Sequence, residues 1–184
     1  MKRMHGCLVA ILTAATWGCV GSVNPAIPDN ATSFEPQLLG AWSDSASTER
    51  AVITQSGPRS YGIQYTDAQG QTVSFVGLLG RNEERFILDV QPAVEALGPY
   101  RDFVVRLHIP VILDAIGHRV HVAVLEPDSL DRYLRRRPSA IAHGRTHDGI
   151  VLTADTPALE RFFATYLQRP GVLSAPSTWL RRSP

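Results

Sequence analysis

Apolar and polar positions alternate through the middle of the chain. Over 60–66, Tyr61, Ile63 and Tyr65 alternate with Gly62 and Gln64, the period of two expected of a half-buried strand. Val73, Phe75 and Leu79 share a face over 72–79, and Phe86, Leu88 and Val90 alternate in the next run. Before them, LLGAWS at 38–43 and the β-branched AVIT at 51–54 also read as strands. Turn chemistry separates these runs, at Ser56-Gly57-Pro58, Asp67-Ala68-Gln69-Gly70 and Gly80-Arg81-Asn82. A longer run over 103–113 places Phe103, Val105, Leu107, Ile109, Val111 and Leu113 on one face. Pro110 within it removes a ladder donor and implies a bulge or an edge. After Ile116-Gly117, RVHVAVL at 119–125 reads as the second arm of a hairpin, and GIVLTA at 149–154 as a further strand.

Two segments switch to helical spacing. Leu130, Tyr133 and Leu134 follow Pro127 and Asp128, which predicts a helix over about 127–137. Leu159, Phe162, Phe163, Tyr166 and Leu167 predict another over about 156–168, capped by Thr156 and stopped by Arg169-Pro170-Gly171. A short helix fits 92–97. The expected fold is mostly β (α+β): an antiparallel barrel or half-barrel of about seven or eight strands with two flanking helices. One β-rich domain is expected over 37–170. Residues 20–36 are small, polar and proline-rich without a period, the pattern of a flexible tether. Residues 171–184 read as a loose C-terminal tail.

The N-terminus reads as an address. Lys2 and Arg3 precede an apolar run from Leu8 to Ala15, too short for the roughly 20 residues that span a membrane. Residues 1–18 therefore read as a signal peptide. Thr16-Trp17-Gly18-Cys19 resembles the lipobox of bacterial lipoproteins. That resemblance implies cleavage before Cys19, lipidation of Cys19 by acyl chains of the palmitate kind, and a location in the bacterial cell envelope facing the periplasm. Two acyl chains suffice for stable anchoring, so the membrane is an expected partner. Val20 stands where the family's inner-membrane proteins carry aspartate, which favours the outer membrane. The alternative is cleavage after Ser22, giving a secreted or periplasmic protein. Cys7 leaves with the signal, so no disulfide is expected.

Composition narrows the partners. The 184 residues carry 18 basic and 17 acidic side chains, which excludes a strongly basic nucleic-acid binder. Hydrophobic residues make up 44%, enough for a packed core.

Gly40-Ala41-Trp42 resembles the Gly-x-Trp opening of lipocalins and related calycin barrels. The resemblance implies that Trp42 closes a barrel floor, that a C-terminal helix packs outside, and that an apolar ligand sits within. More widely, LLGAW, YGIQYTDAQG, FILDVQP and LTADTPALERF resemble small bacterial lipoproteins over residues 38–168. That likeness implies a location and a shape, not an activity.

Catalytic signatures are sparse. The chain has no Gly-x-Ser-x-Gly, no phosphate loop and no dinucleotide fingerprint, and its only lysine is Lys2. A non-enzyme without a cofactor is expected, a binding or accessory module for an apolar ligand or an envelope protein. Trp42, Tyr61, Tyr65, Phe75 and Phe86 are the candidates to line a ligand cavity; the same residues would equally make plain core. The alternative is a metal-dependent hydrolase using His143, His147 and Asp148. On a helix their spacing would aim both rings at one ion, but Gly144 and Asp148-Gly149 point to a polar loop. His108 and His121 fall on the two arms of the expected hairpin, as neighbours in one register and facing apart in another. Arg132, Arg135, Arg136 and Arg137 form a basic cluster, read either as a contact for anionic headgroups or as a solvated face at a helix C-terminus.

Overall fold

The computed structural model describes residues 20–82, 85–95, 98, 104–114, 116–147 and 149–182. Its strands are β1 (Gly21–Ser22), β2 (Thr32–Ser33), β3 (Gly40–Asp44), β4 (Arg50–Gly57), β5 (Ser60–Thr66), β6 (Thr72–Asn82), β7 (Arg85–Pro92), β8 (Ile109–Asp114), β9 (Arg119–Val124), β10 (His143–Thr146), β11 (Gly149–Leu152) and β12 (Ser177–Arg181). Two α-helices, α1 (Pro127–Arg136) and α2 (Thr156–Tyr166), lie between β9 and β12.

Eight strands close into an antiparallel barrel. β3 to β9 run as a meander, each paired with the next. β12 then pairs with both β9 and β3 and completes the circle. Closure gives each of the eight barrel strands a partner on both sides, which is the usual solution for an all-antiparallel sheet. The expected mostly β fold with two helices is therefore the observed one. The strand that closes it comes from the segment read as a loose tail. Trp179 sits buried on β12, opposite Val120 and Asp44. One buried tryptophan in a five-residue strand leaves too little alternation for a periodicity reading.

The β8 expectation is shortened. The strand begins at Ile109, and Val105 is 71% exposed before it; Phe103 lies outside the described residues. Pro110 sits opposite Asp89 of β7, while pairing with β9 begins only at Val111. The proline thus occupies a local edge, where its missing donor costs nothing. The helix expected over 92–97 falls partly outside the described residues.

The tether is also corrected. Residues 20–36 pack on the barrel rather than hang free of it. Val20, Ala26 and Ile27 are buried, β1 runs parallel to β11, and β2 takes the edge of β6 beyond the end of β5. Gly80 permits this docking, because a Cβ there would collide with the Ile27 side chain. The small, proline-rich composition reports absence of periodicity, not absence of contacts.

Two cores result. Inside the barrel lie Trp42, Tyr61, Ile63, Leu79, Leu88, Val90, Leu113, Val120 and Trp179. Outside it, α1, α2 and the small β1-β11-β10 sheet cover the outward residues Ile87 and Ile112 of β7 and β8. That wall is buried on both faces, which explains the almost continuous apolar run FIL at 86–88. α2 places Leu159, Phe162, Phe163 and Tyr166 inward as its spacing requires. Its cap is Asp155, whose carboxylate accepts from the Ala158 N–H at 2.9 Å, and not Thr156.

Candidate functional site

The two ends of the barrel differ. The end where β3, β5, β7 and β9 begin is sealed by a single 3-10 turn, Pro36–Leu38. Leu38 and Trp42 are each 2% exposed, and the Trp42 indole N–H donates to the Leu38 carbonyl at 2.8 Å. Gly40, at φ 124°, turns the chain from this plug into β3. Arg181 of β12 lies over the Trp42 ring at 5.9 Å and donates to the Leu39 carbonyl. Beside them Tyr61 is fully buried, its hydroxyl accepts from the Glu35 N–H at 2.6 Å, and Phe34 stacks on its ring at 5.1 Å. Burial pushes the Tyr61 hydroxyl above its ordinary pKa, partly offset by the backbone of Glu35.

At the opposite end, called the mouth below, the inward side chains are apolar and incompletely buried. Tyr65, Val73, Phe75, Ile109, Val111 and Val122 point inward here and are only half-buried. Trp179 stands among them with its ring 6.3 Å from that of Tyr65. The mouth also holds a carboxylate. Asp44, the last residue of β3, faces inward opposite Trp179. Its Oδ1 is shielded from solvent and has no hydrogen-bond partner among the described residues.

The five residues expected to line a cavity are therefore divided. Tyr65 and Phe75 belong to the mouth. Trp42 and Tyr61 belong to the sealed floor. Phe86 is near that end too, with the Arg81 guanidinium 5.4 Å from its ring. Lumen packing is tight between the two ends: a Cβ on Gly77 would stand 3.1 Å from both Ile63 Cδ1 and Leu88 Cδ1. Sequence reading missed Asp44 and Trp179, both of which need the β3–β12 pairing to bring them together.

The chain matches no family model, no curated protein and no solved structure. The site is accordingly read from its own geometry.

The histidines do not converge. The 143–148 segment is not a loop throughout: His143 opens β10 and pairs opposite Leu152, and His147 follows the strand at the hairpin turn. Four residues of strand separate them by about 13 Å, too far to share an ion. Asp148 lies outside the described residues. Among the described residues no group of three metal-ligating side chains forms. His121 pairs opposite Asp114, at the far end of β8, whereas His108 lies just before its start, so neither register expected for the two histidines occurs.

His108 has a different partner. Its Nδ1 is 3.1 Å from Asp89 Oδ1, and Asp89 Oδ2 accepts from the Ala26 N–H at 2.7 Å. Ser22 exchanges both backbone bonds with His108, at 2.8 and 2.9 Å. These are the residue types of a hydrolytic triad, but Ser22 is fully buried and its hydroxyl donates to the Asn24 carbonyl at 2.7 Å. The arrangement is a clamp that holds the N-terminal segment on β7 and β8.

Proposed function

We propose that the protein is a non-catalytic binding module of the bacterial cell envelope, and that it takes an apolar ligand at the open end of its barrel. The observation that carries this reading is the asymmetry of the barrel. One end is plugged by Leu38 and Trp42, and partly buried apolar side chains such as Ile53 and Phe86 lie beside the plug; the other end has no such plug among the described residues, and its inward aromatic and aliphatic side chains stand near Asp44 Oδ1, which has no hydrogen-bond partner among the described residues. Binding sites are commonly concave and mainly apolar, with few polar groups to fix orientation. The carboxylate selects among apolar ligands. It accepts from a hydroxyl or an ammonium and repels an acid, so a long-chain alcohol suits the mouth better than a fatty acid.

A long-chain alcohol is expected to bind at least tenfold tighter than the acid of equal length by isothermal titration, and Asp44→Asn is expected to narrow that gap. Phe75→Ser is expected to weaken the alcohol about tenfold, corresponding to about 1.4 kcal/mol of lost apolar contact. Equal affinity for alcohol and acid, with no effect of Phe75→Ser, overturns the assignment.

The envelope location rests on residues 1–19, which lie outside the described residues. No helix among the described residues is long and apolar enough to cross a membrane, so the lipid on Cys19 supplies the anchor in this reading. Val20 is already packed into the outer core. The lipid would then hold the barrel directly against the bilayer, with no tether between. Labelled palmitate is expected to enter the wild-type chain in a bacterial host and to be absent from Cys19→Ala. Equal labelling of both removes the anchor from the account.

A further inference from the structure

The basic cluster of α1 meets a second source of arginine in the fold. Tyr133, near the C-terminal end of α1, packs on Phe162 and Tyr166 of α2 with ring centroids 6.1 and 5.1 Å away. Arg137, from the end of α1, and Arg169, from just past α2, place their guanidinium carbons 5.4 and 5.0 Å from the Tyr133 centroid. With Arg132 and Arg136 they line a groove of about 300 Å³ that Tyr166 also borders. None of these four arginines has a carboxylate within ion-pair distance among the described residues. Arg135 differs, because Asp131 takes it at 2.7 Å. Asp131 also binds Arg145, and the two guanidiniums hold its carboxyl below the usual range.

A helix C-terminus attracts cations through its dipole, and that accounts for arginines at 135–137. The same attraction holds for Arg169 just past the end of α2, but it does not account for the state of Tyr166. The Tyr166 hydroxyl is buried, at 1% residue exposure, and has no hydrogen-bond partner among the described residues. Such a group is costly to leave unpaired. Burial pushes its pKa to about 12, against the pull of Arg169 and Arg132 and with Glu126 adding to the rise. It therefore stays protonated and able to donate.

We propose that this groove binds a phosphate ester, with Arg132, Arg136 and Arg169 around the oxyanion and the Tyr166 hydroxyl as an additional donor. Planar guanidiniums engage phosphate through paired N–H donors, which point charges do not reproduce. Arg132 donates to the Ser129 hydroxyl at 3.0 Å, and Arg137 and Arg169 lie over Tyr133, so what the four lack among the described residues is an anion, and a doubly charged tetrahedral anion answers several of them better than a single carboxylate does. The inference does not rest on the apolar mouth, which lies on the barrel and not on the helices. The carrier of the phosphate is either a lipid headgroup or a small soluble molecule, and both present the same chemistry.

The test uses the full chain with Cys19→Ser, so that no acyl anchor contributes. Binding is measured to inorganic phosphate by titration calorimetry, and to phosphatidylcholine vesicles with and without phosphatidylglycerol by flotation. Binding to at least one anionic probe is expected, weakened tenfold or more by the double variant Arg136→Gln/Arg169→Gln and little changed by Arg135→Gln. Tyr166→Phe is expected to weaken it severalfold while leaving the thermal midpoint unchanged or higher. Binding to phosphatidylglycerol vesicles alone identifies a headgroup, and binding to phosphate alone identifies a soluble ligand. Absence of binding to either overturns the proposal, as does binding that survives the double variant or falls equally with Arg135→Gln.

Discussion

Trp42→Ala is expected to cost about 3–5 kcal/mol of folding stability, a large share of the roughly 5–15 kcal/mol that holds a domain of this kind. Three losses coincide at that residue. A fully buried indole leaves a void between Leu38 and the lumen. The Leu38 carbonyl loses its 2.8 Å donor. Arg181 loses the ring beneath its guanidinium, and with it part of the contact that pins β12 to the plug. Because β12 is the strand that closes the barrel, the damage is expected to be cooperative rather than confined to the floor. Urea unfolding measures it directly. Trp42→Phe keeps most of the ring volume and is expected to recover about half of the loss. A cost below about 1 kcal/mol for Trp42→Ala would show that the plug is not what closes the floor.

Asp89→Ala comes next in expected size, at about 3 kcal/mol. Asp89 is 2% exposed and serves two partners from two parts of the chain, His108 and the Ala26 N–H. Its removal strands both in a dry site. The loss is expected to be local in its first effect: residues 20–27 detach from β7 and β8, while the inward-facing core of the barrel persists. Hydrogen exchange at the Ser22 and His108 amides reports this, since those two residues exchange backbone bonds. Asp89→Asn retains an acceptor for Ala26 and is expected to lose less. Unchanged exchange in Asp89→Ala would show that the clamp contributes nothing to docking.

Strands that bury one face were readable from alternation. β5, β6 and β7 were legible because Tyr61, Ile63, Tyr65, Phe75, Leu88 and Val90 face a common lumen. The α2 stripe was legible for the same reason at helical period. Elements that depend on distant partners were not. β12 carries one buried tryptophan, and its identity as a strand depends on β3 and β9 flanking it, more than fifty residues away on one side. β1 and β2 are two residues each and have no period to detect. The site shows the same division. Tyr65 and Phe75 could be named from their alternation, but alternation does not say which end of a barrel a residue occupies. It placed Tyr61 in the same set, although Tyr61 lies at the end that the Pro36–Leu38 turn seals; Trp42 entered that set through the Gly-x-Trp resemblance instead. The pairing of Asp44 with Trp179, and the meeting of Arg169 with the α1 arginines, arise only once the chain has closed.

The claim that the open end of the barrel holds an apolar ligand is tested most directly by contact quenching of tryptophan. A long-chain alcohol brominated along its chain quenches an indole only when it touches it. Trp179 stands in the mouth and Trp42 in the sealed floor. Titration is expected to quench fluorescence saturably, at one ligand per chain. Quenching should persist in Trp42→Phe and largely disappear in Trp179→Phe. Absence of saturable quenching, or quenching that survives in Trp179→Phe, would contradict ligand binding at the mouth.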